Sequence, residues 1–225
     1  MEEDHCVISK NCYGIYAIPK STLHRPAAQF VNNGKVWEPE TIEFMRNVNR
    51  GGDVVHAGTF FGDFLPGLSD GMKGRGMVWA FEPVPNNFTA ARKTIAMNGL
   101  ENVVLRNAAL SERPSTLHMA VADQDRRPLG GGSRVVGIQS ELTVSVDAVP
   151  IDAAVPETRR VSIIQLDVEG HERQALLGAR KTIRRCRPVL ILEGFNDVSW
   201  LNSHVGPYRF VGKLHDNSVF ATVPD

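Results

Sequence analysis

The sequence has few cysteines, no excess of either charge and no long apolar run. Its three cysteines, Cys6, Cys12 and Cys186, form no Cys-x-x-Cys pair. Their spacing excludes a disulfide framework and a zinc cage of the usual kind, and it is typical of a reducing compartment. Lys plus Arg and Asp plus Glu both number 25, so the formal net charge is zero. We therefore expect no nucleic-acid partner, because a neutral chain has no strong field with which to attract polyanions.

No apolar stretch approaches the ~20 residues that a transmembrane helix needs. Residues 1–4 are acidic and lack the apolar centre of a secretory signal, so we expect a cytoplasmic protein without a membrane partner. The length of 225 residues and the hydrophobic content of 42% suit one globular domain. Within it, residues 1–50 are predicted to form an N-terminal cap and first helix, and residues 51–225 the cofactor-binding unit. Association into a homo-oligomer stays open.

The stretch from Asp53 to Asp63 has the pattern of a strand, a glycine turn and a helix start. Val54 and Val55 form the apolar strand, and Gly58 and Gly62 follow it. Glycine is needed where the backbone takes a positive φ or where a ligand approaches the main chain. A helix N-terminus adds unpaired N–H groups and a positive dipole end. Such a turn can hold a nucleotide-like cofactor or a carboxylate.

A second predicted strand, Met77 to Glu82, ends in an acid. Glu82 lies 24 residues after Gly58. An acid at about that distance, at the tip of the second strand, is where nucleotide-binding α/β folds bind ribose hydroxyls. A carboxylate suits this role because its two oxygens accept from two vicinal hydroxyl groups.

The rest of the chain alternates helices and strands, which predicts an α/β fold with parallel βαβ units. Residues 1–35 show no clear periodicity. Residues 123–140, with a glycine triplet, are predicted to form a mobile loop, for which a solvated loop is favoured over a substrate lid. Two stretches, 115–121 and 142–146, read as a hairpin or two further strands. The other predicted helices cover 38–49, 86–98 and the segment from 171 to about 185, and the other predicted strands cover 102–106, 161–167, 188–193 and a terminal hairpin of 208–214 and 218–223.

Four stretches, taken in order, resemble the FkbM family of class I S-adenosylmethionine-dependent methyltransferases. They are Phe81-Glu82-Pro83-Val84-Pro85, residues 107–111, residues 166–172 with Leu177-Gly178-Ala179, and residues 187–193. The resemblance implies a Rossmann-like, doubly wound, mostly parallel seven-stranded sheet with an antiparallel C-terminal hairpin. It also implies S-adenosylmethionine as cofactor and O-methylation of a small hydroxylated acceptor, such as a sugar or a polyketide-like metabolite.

The family's cofactor-binding positions can be carried over to this sequence. The resemblance implies that the turn wraps the methionine and ribose end of the cofactor, that Glu82 holds the ribose, and that Asp167 lies beside the sulfonium or the amino group. Glu38 is a weaker match that reaches the cofactor from the first helix. The turn residues are Gly58, Thr59, Phe60, Phe61, Gly62 and Asp63, and the adenine neighbours are Pro83, Asn107 and Ala108.

His56 departs from the family pattern. It occupies the position two residues before the first glycine, where the family usually has an acid that orders the turn and binds the cofactor's ammonium group. His56 can order the turn by hydrogen bonding, with Asp63 or Asp167 meeting the ammonium group instead. We expect a buried histidine whose hydrogen bonds are satisfied.

A hydroxyl acceptor benefits from a base that removes its proton. The candidates near the carboxyl ends of strands, where α/β sites lie, are Asp167, Glu169, His171, Glu172 and Glu193. We assign the role to Asp167, Glu169 and His171, and a histidine suits it because it titrates near neutrality. Asp167 and Glu193 can bind a divalent cation, but two acids on neighbouring strands are too common a pattern to assign a metal.

The sequence disfavours two other functions and leaves a third open. A nicotinamide-dependent oxidoreductase is disfavoured because the turn lacks the middle glycine of G-x-G-x-x-G. A nucleic-acid methyltransferase is disfavoured by the zero net charge. A cofactor-binding scaffold without turnover is favoured by His56 alone.

Overall fold

The computed structural model describes residues 5–49 and 51–223. The acidic start at residues 1–4 lies outside these ranges. Residue 50, at which the expected boundary between cap and cofactor-binding unit falls, also lies outside them, and that boundary stays a prediction.

The described residues form thirteen strands and eight α-helices. The strands are β1 Cys6–Lys10, β2 Ile15–Pro19, β3 Asp53–Ala57, β4 Val78–Phe81, β5 Val103–Arg106, β6 Ala109–Leu110, β7 Ser115–Ala120, β8 Arg134–Val136, β9 Thr143–Val149, β10 Val161–Leu166, β11 Val189–Glu193, β12 Tyr208–Leu214 and β13 Asn217–Thr222. The helices are α1 Pro26–Asn32, α2 Pro39–Val48, α3 Leu65–Met72, α4 Pro85–Asn98, α5 Ile151–Ala154, α6 Glu172–Leu177, α7 Arg180–Cys186 and α8 Val198–His204.

The main sheet is mixed and has seven strands in the order β12-β13-β11-β10-β3-β4-β5. The five strands from β11 to β5 run parallel to one another. β13 pairs antiparallel with β11, and β12 pairs antiparallel with β13. The α/β class with a mixed seven-stranded sheet is therefore confirmed, and the carboxyl ends of the parallel strands meet at one edge.

Apolar residues cover both faces of this sheet because side chains alternate along each strand. Val55 of β3 belongs to a buried cluster with α6 and α7, whereas its neighbour Val54 belongs to a cluster with α2 and α3. In β10, Ile164 and Ile163 divide in the same way. A parallel strand buried on both faces reads as a continuous apolar run, which is why these strands could be located in the sequence.

Residues 109–149 contribute a second sheet, in the order β6-β9-β7-β8. β7 and β9 pair antiparallel, as the alternating pattern predicted. The prediction of a loop over residues 123–140 was wrong in part, because Arg134–Val136 pairs with β7. This strand is short and follows a glycine triplet, so its own sequence carries no periodic signal.

Two further expectations need correction. The first 35 residues contain the antiparallel hairpin β1–β2, whose second strand is buried almost throughout and therefore shows no alternation. The helix predicted from residue 171 to about 185 is two helices, α6 and α7. Gly178 lies between them, and a Cβ there would come within 2.0 Å of the Ser111 carbonyl oxygen. The chain bends where a glycine permits this close approach.

No helix within residues 5–49 and 51–223 combines the length and apolar content needed to cross a bilayer.

Candidate active site

The glycine turn connects β3 to α3 through strained backbone. Gly58 and Gly62 have φ values of 86° and 84°, and Phe60, between them, has a φ of 50°. A positive φ is costly for a bulky side chain. Glu82 holds Phe60 in this conformation, since its Oε2 accepts a 2.7 Å hydrogen bond from the Phe60 N–H. The turn and the tip of β4 therefore form one unit.

Gly58 lies against the end of β10. A Cβ at Gly58 would come within 1.9 Å of the Asp167 carbonyl oxygen. The Asp167 N–H in turn donates to the Ala57 carbonyl at 3.1 Å. The two strands therefore come together at this edge only because the turn begins with glycine.

Glu82 lies at the tip of β4 with only 4% of its surface exposed. Its Oε1 accepts from the Val84 N–H at 2.8 Å, in addition to the bond from Phe60. Burial raises the pKa of Glu82 to about 8, against the opposing effect of these two N–H donors. Oε1 accepts a further, longer hydrogen bond of 3.5 Å from the Asn87 amide, whereas Oε2 keeps a free lone pair. A ligand hydroxyl can therefore donate to Oε2, and a second one can replace the long bond at Oε1.

An apolar cleft of about 460 Å³ opens beside Glu82. Pro83 and Ala108, which are predicted to lie near the adenine, line this cleft. Asn107, by contrast, donates its amide to the carbonyl oxygens of Glu82 and Pro83, at 2.8 and 2.9 Å. The apolar side chains along this cleft include Val84, Leu110, Met119 and Val135.

An acidic cleft of about 710 Å³ adjoins the apolar one. The two clefts share Gly58, Gly131 and Asp167, so together they form a continuous groove along the carboxyl edge of the sheet. The carboxyl residues that line the acidic cleft are Glu38, Asp63, Asp167, Glu169 and Glu193, and Arg25 is the basic residue among its described lining.

Glu38 reaches this cleft through an unusual backbone conformation. It precedes α2 with a φ of 45°, and its Oε2 accepts from Thr41 at 2.9 Å and from the Asn217 amide at 2.7 Å. Burial raises its pKa. The structure thus brings the weakest of the family matches to the same groove as the glycine turn.

The remaining turn residues serve different roles. Phe61 packs in the cluster below the N-terminal hairpin, and its carbonyl accepts from Thr94 at 2.8 Å, so its side chain faces away from the groove. Thr59 is fully buried, and its hydroxyl has no partner among the described residues.

Asp63 is almost fully buried at the start of α3. Burial, reinforced by the nearby Glu38 carboxylate, raises its pKa to about 7. The Phe64 N–H, 3.2 Å from Oδ1, opposes this shift. Asp63 therefore exchanges a proton near neutral pH inside the acidic cleft.

We expect Asp63→Asn to stabilise the ligand-free protein in a pH-dependent way. The folded-state pKa of about 7 lies above the ordinary value of an aspartate, so the folded protein binds the proton more tightly than the unfolded chain. Wild-type stability should fall as pH rises from about 4 to about 7, by up to about 1.4 kcal/mol per pH unit. Asparagine cannot ionise, so the free energy of unfolding of Asp63→Asn should match that of the wild type near pH 4 and exceed it most above pH 7. Urea denaturation of both proteins across this range measures the difference, and a difference independent of pH would contradict the burial argument.

His56 is buried, as expected, but its hydrogen bonds are only half satisfied. Its ring stacks on Phe64 at 5.3 Å, and its Nδ1 pairs with the Gln165 side-chain oxygen. Its Nε2 has no partner among the described residues. Burial lowers the pKa of His56 to about 4, against the effect of Gln165, so the ring is neutral at physiological pH. A neutral ring that donates from Nδ1 leaves Nε2 as a bare acceptor.

The three proposed proton acceptors separate in the structure. Asp167 lines both clefts and Glu169 the acidic one, whereas His171 lines the apolar cleft, with its Nε2 3.3 Å from the Ser111 hydroxyl. Burial raises the pKa of Asp167, and a hydrogen bond with Glu193 raises it further. Burial also raises the pKa of Glu169 and lowers that of His171. Asp167, Glu169 and Glu193 offer ligand atoms within 4.8 Å of one another.

A glycine roof, defined as Gly130 to Gly132, lines the groove, in a segment for which the sequence favoured a solvated loop over a substrate lid. A Cβ at Gly131 would lie 3.3 Å from the Phe60 ring, and the Asn87 amide donates to the Gly130 carbonyl at 3.2 Å. The triplet itself was the available signal, but it was interpreted as part of a loop. Gln165 was missed; a polar residue inside an otherwise apolar strand was its signal.

The fold and the groove together define a class. A parallel sheet with a glycine turn after one strand and an acid at the tip of the next belongs to the nucleotide-cofactor-binding α/β enzymes. The family model described as "Methyltransferase FkbM domain" matches residues 56–205. The chain belongs to this family of methyltransferases.

Solved structures show the same fold at low identity. The chain resembles a methyltransferase FkbM from Methylobacillus flagellatus KT, with 19% identity, a TM-score of 0.53, and coverage of 80% of this chain and 50% of that one. The chain therefore spans half the length of that protein. It also resembles a SAM-dependent methyltransferase from Aquifex aeolicus, with 14% identity, a TM-score of 0.50, and coverage of 89% and 94%. No curated protein matches the chain.

Proposed function

We propose that this chain transfers a methyl group from S-adenosylmethionine to a hydroxyl group of a small molecule, such as a sugar or a polyketide-like metabolite. The observation that carries the proposal is the position of Asp167 and Glu169 in the acidic part of a groove whose other part is apolar. We also infer that the sheet has the doubly wound Rossmann-like arrangement, since helices cover both of its faces.

The apolar cleft fits the nucleoside half of the cofactor. Pro83 and Ala108 offer apolar contacts to a flat base, and Glu82 can accept from two ribose hydroxyls, one at Oε2 and one at Oε1. Asn107 contributes indirectly, because its amide fixes the backbone of Glu82 and Pro83. The absence of a side chain at Gly58 leaves room at the junction of the two clefts.

The acidic cleft fits the methionine half, which carries an ammonium group and a sulfonium. Asp63, Asp167 and Glu38 supply carboxylates there, and the bare Nε2 of His56 supplies a further acceptor. Opposite charges in a buried cleft attract more strongly than in water. These acceptors support binding of the ammonium group although position 56 lacks the acid that is usual in the family.

Bound S-adenosylmethionine supplies a methyl group already activated by the positive charge on sulfur. The chain's contribution is alignment, which can supply several kcal/mol of the barrier, and removal of the hydroxyl proton. Asp167 and Glu169 face the methyl-donor end and are the favoured proton acceptors. His171 lines the apolar cleft that the nucleoside would fill, so it is the least favoured of the three proton acceptors.

Two other functions remain as outcomes of the test. A nicotinamide-dependent oxidoreductase has the family assignment against it. A scaffold that binds the cofactor without turnover is compatible with the same groove. The zero net charge favours a small acceptor over a nucleic acid.

The test is formation of S-adenosylhomocysteine and a methylated product from a panel of hydroxylated sugars and polyketides, followed by mass spectrometry. We expect turnover with at least one acceptor, and we expect Asp167→Asn to reduce kcat by about 100-fold or more while S-adenosylhomocysteine still binds. Undiminished turnover in Asp167→Asn would contradict the assigned role. Cofactor binding with no turnover on any acceptor would favour the scaffold.

A further inference from the structure

Three carboxyl groups converge at the carboxyl edge of β10 and β11. One oxygen each from Asp167, Glu169 and Glu193 lies within 4.8 Å of the other two. Like charges at this separation repel one another unless a cation or a shared proton lies between them. A hydrogen bond joins Asp167 to Glu193, and Arg25 and Arg134 act electrostatically on Glu169. None of the described ion pairs, however, involves these three acids.

A buried, unpartnered acceptor lies beside these carboxyl groups. His56 is only 2% exposed, and its Nε2 has no hydrogen-bond partner among the described residues. Its ring lines the same acidic cleft as the three acids. Gln165, which occupies the Nδ1 side of the ring, lies two residues before Asp167, so both project from the same face of the sheet. The unpartnered Nε2 therefore belongs to a ring that lines the same cleft as the acid cluster.

Asn217 supplies a second unpartnered acceptor. It pairs with Glu193 across β11 and β13, and side chains of directly opposed residues project from the same face. Its amide nitrogen donates to Glu38, while its Oδ1, also buried, has no partner. Two buried acceptors without partners, His56 Nε2 and Asn217 Oδ1, therefore accompany the three carboxylates. Such a set of acceptors favours a positively charged ligand.

We propose that Asp167, Glu169 and Glu193 bind a hard divalent cation of the Mg²⁺, Mn²⁺ or Ca²⁺ type. Carboxylate and carbonyl oxygens are the ligands these ions prefer. Oxygens that share one such ion at 2.0–2.6 Å lie up to about 5 Å apart, which agrees with the observed spacing.

The open side of this site faces a further cleft. Glu169 and Glu193 line it together with Lys213 and Asp216. An acceptor hydroxyl that enters from this cleft can complete the coordination of the cation and so be held beside the methyl donor. This role rests on the proposed methyltransferase function, whereas binding of the cation does not.

The test is titration of the full chain with Mn²⁺, monitored by electron paramagnetic resonance, in the absence and presence of S-adenosylhomocysteine. We expect one bound ion per chain under both conditions, displaced by excess Mg²⁺ or Ca²⁺. Glu193→Gln should weaken Mn²⁺ binding by at least ~10-fold, with S-adenosylhomocysteine binding and the melting temperature retained. Glu169→Gln, at an exposed position, should weaken Mn²⁺ binding to a similar extent. The matched control Glu101→Gln, at an exposed site outside the cluster, should leave Mn²⁺ binding unchanged.

Three results would overturn the cation site. They are the absence of bound Mn²⁺ in the wild type, wild-type affinity in both cluster variants, and expulsion of Mn²⁺ by S-adenosylhomocysteine. The last result would assign the acids to the cofactor's own ammonium group. Failure of the wild type to bind S-adenosylhomocysteine would instead count against the proposed function, so the two failures can be distinguished.

Discussion

Glu82→Gln is expected to bind S-adenosylhomocysteine at least ~100-fold more weakly than the wild type, a loss of about 2.7 kcal/mol. Glutamine keeps the shape of the side chain but has one acceptor oxygen instead of two. Either the Phe60 N–H or the Val84 N–H would then face an amide donor, and one ribose hydroxyl would lose its charged acceptor. Hydrogen bonds to charged groups contribute about 1.5–3 kcal/mol each.

Isothermal titration calorimetry measures this loss, with Glu101→Gln as the matched control on the surface. The melting temperature of Glu82→Gln reports whether the variant folds, and we expect it to fall moderately, because one of the two backbone N–H groups loses its acceptor. Unchanged affinity in Glu82→Gln would place the ribose elsewhere and remove the basis for assigning the apolar cleft to the nucleoside.

Gly58→Ala is expected to destabilise the protein by about 3 kcal/mol or more. Two costs add at this position. A φ of 86° is unfavourable for alanine, by roughly 1 kcal/mol. The added methyl group would also lie 1.9 Å from the Asp167 carbonyl oxygen, so β3 and β10 must separate at the edge that carries the groove. Cofactor binding should be lost even where the variant folds.

Gly74→Ala isolates the first of these costs. Gly74 has a φ of 71°, and a Cβ there would meet nothing within 4 Å, so we expect a loss of only about 1 kcal/mol. Urea denaturation of both variants gives the difference. Equal decreases in the free energy of unfolding would mean that β3 and β10 can separate without a measurable energetic cost. The close contact at Gly58 would then not determine the shape of the groove.

The parts of the fold that the sequence predicted are those whose signals are local. The apolar runs of β3, β10 and β11 and the helix α4, closed by the left-handed Gly99, can be located residue by residue. Glu82 could be singled out because its distance from Gly58 is set by one βαβ unit.

The parts that escaped prediction depend on contacts between distant residues. The strand β2 of the N-terminal hairpin is buried by packing against α4, so its alternation is hidden. Gln165 matters because it pairs with His56, 109 residues away. The roof was not assigned to the groove because three glycines predict flexibility, while their position over Phe60 is set by the tertiary fold. The residues assigned to cofactor and catalysis stay predictions until the variants are measured.

The glycine roof gives the groove one wall made of peptide groups alone. At Gly130, where φ is 58° and a methyl group would lie 2.9 Å from the Phe60 ring, this wall tolerates no ordinary side chain. At Gly132 an added methyl group would meet only the flexible end of Arg25. Whatever distinguishes one acceptor from another must then be encoded by the opposite walls, on the strand ends and the first two helices. Attempts to change acceptor choice by mutagenesis should therefore begin there, since the roof offers shape and backbone polarity but no adjustable chemistry.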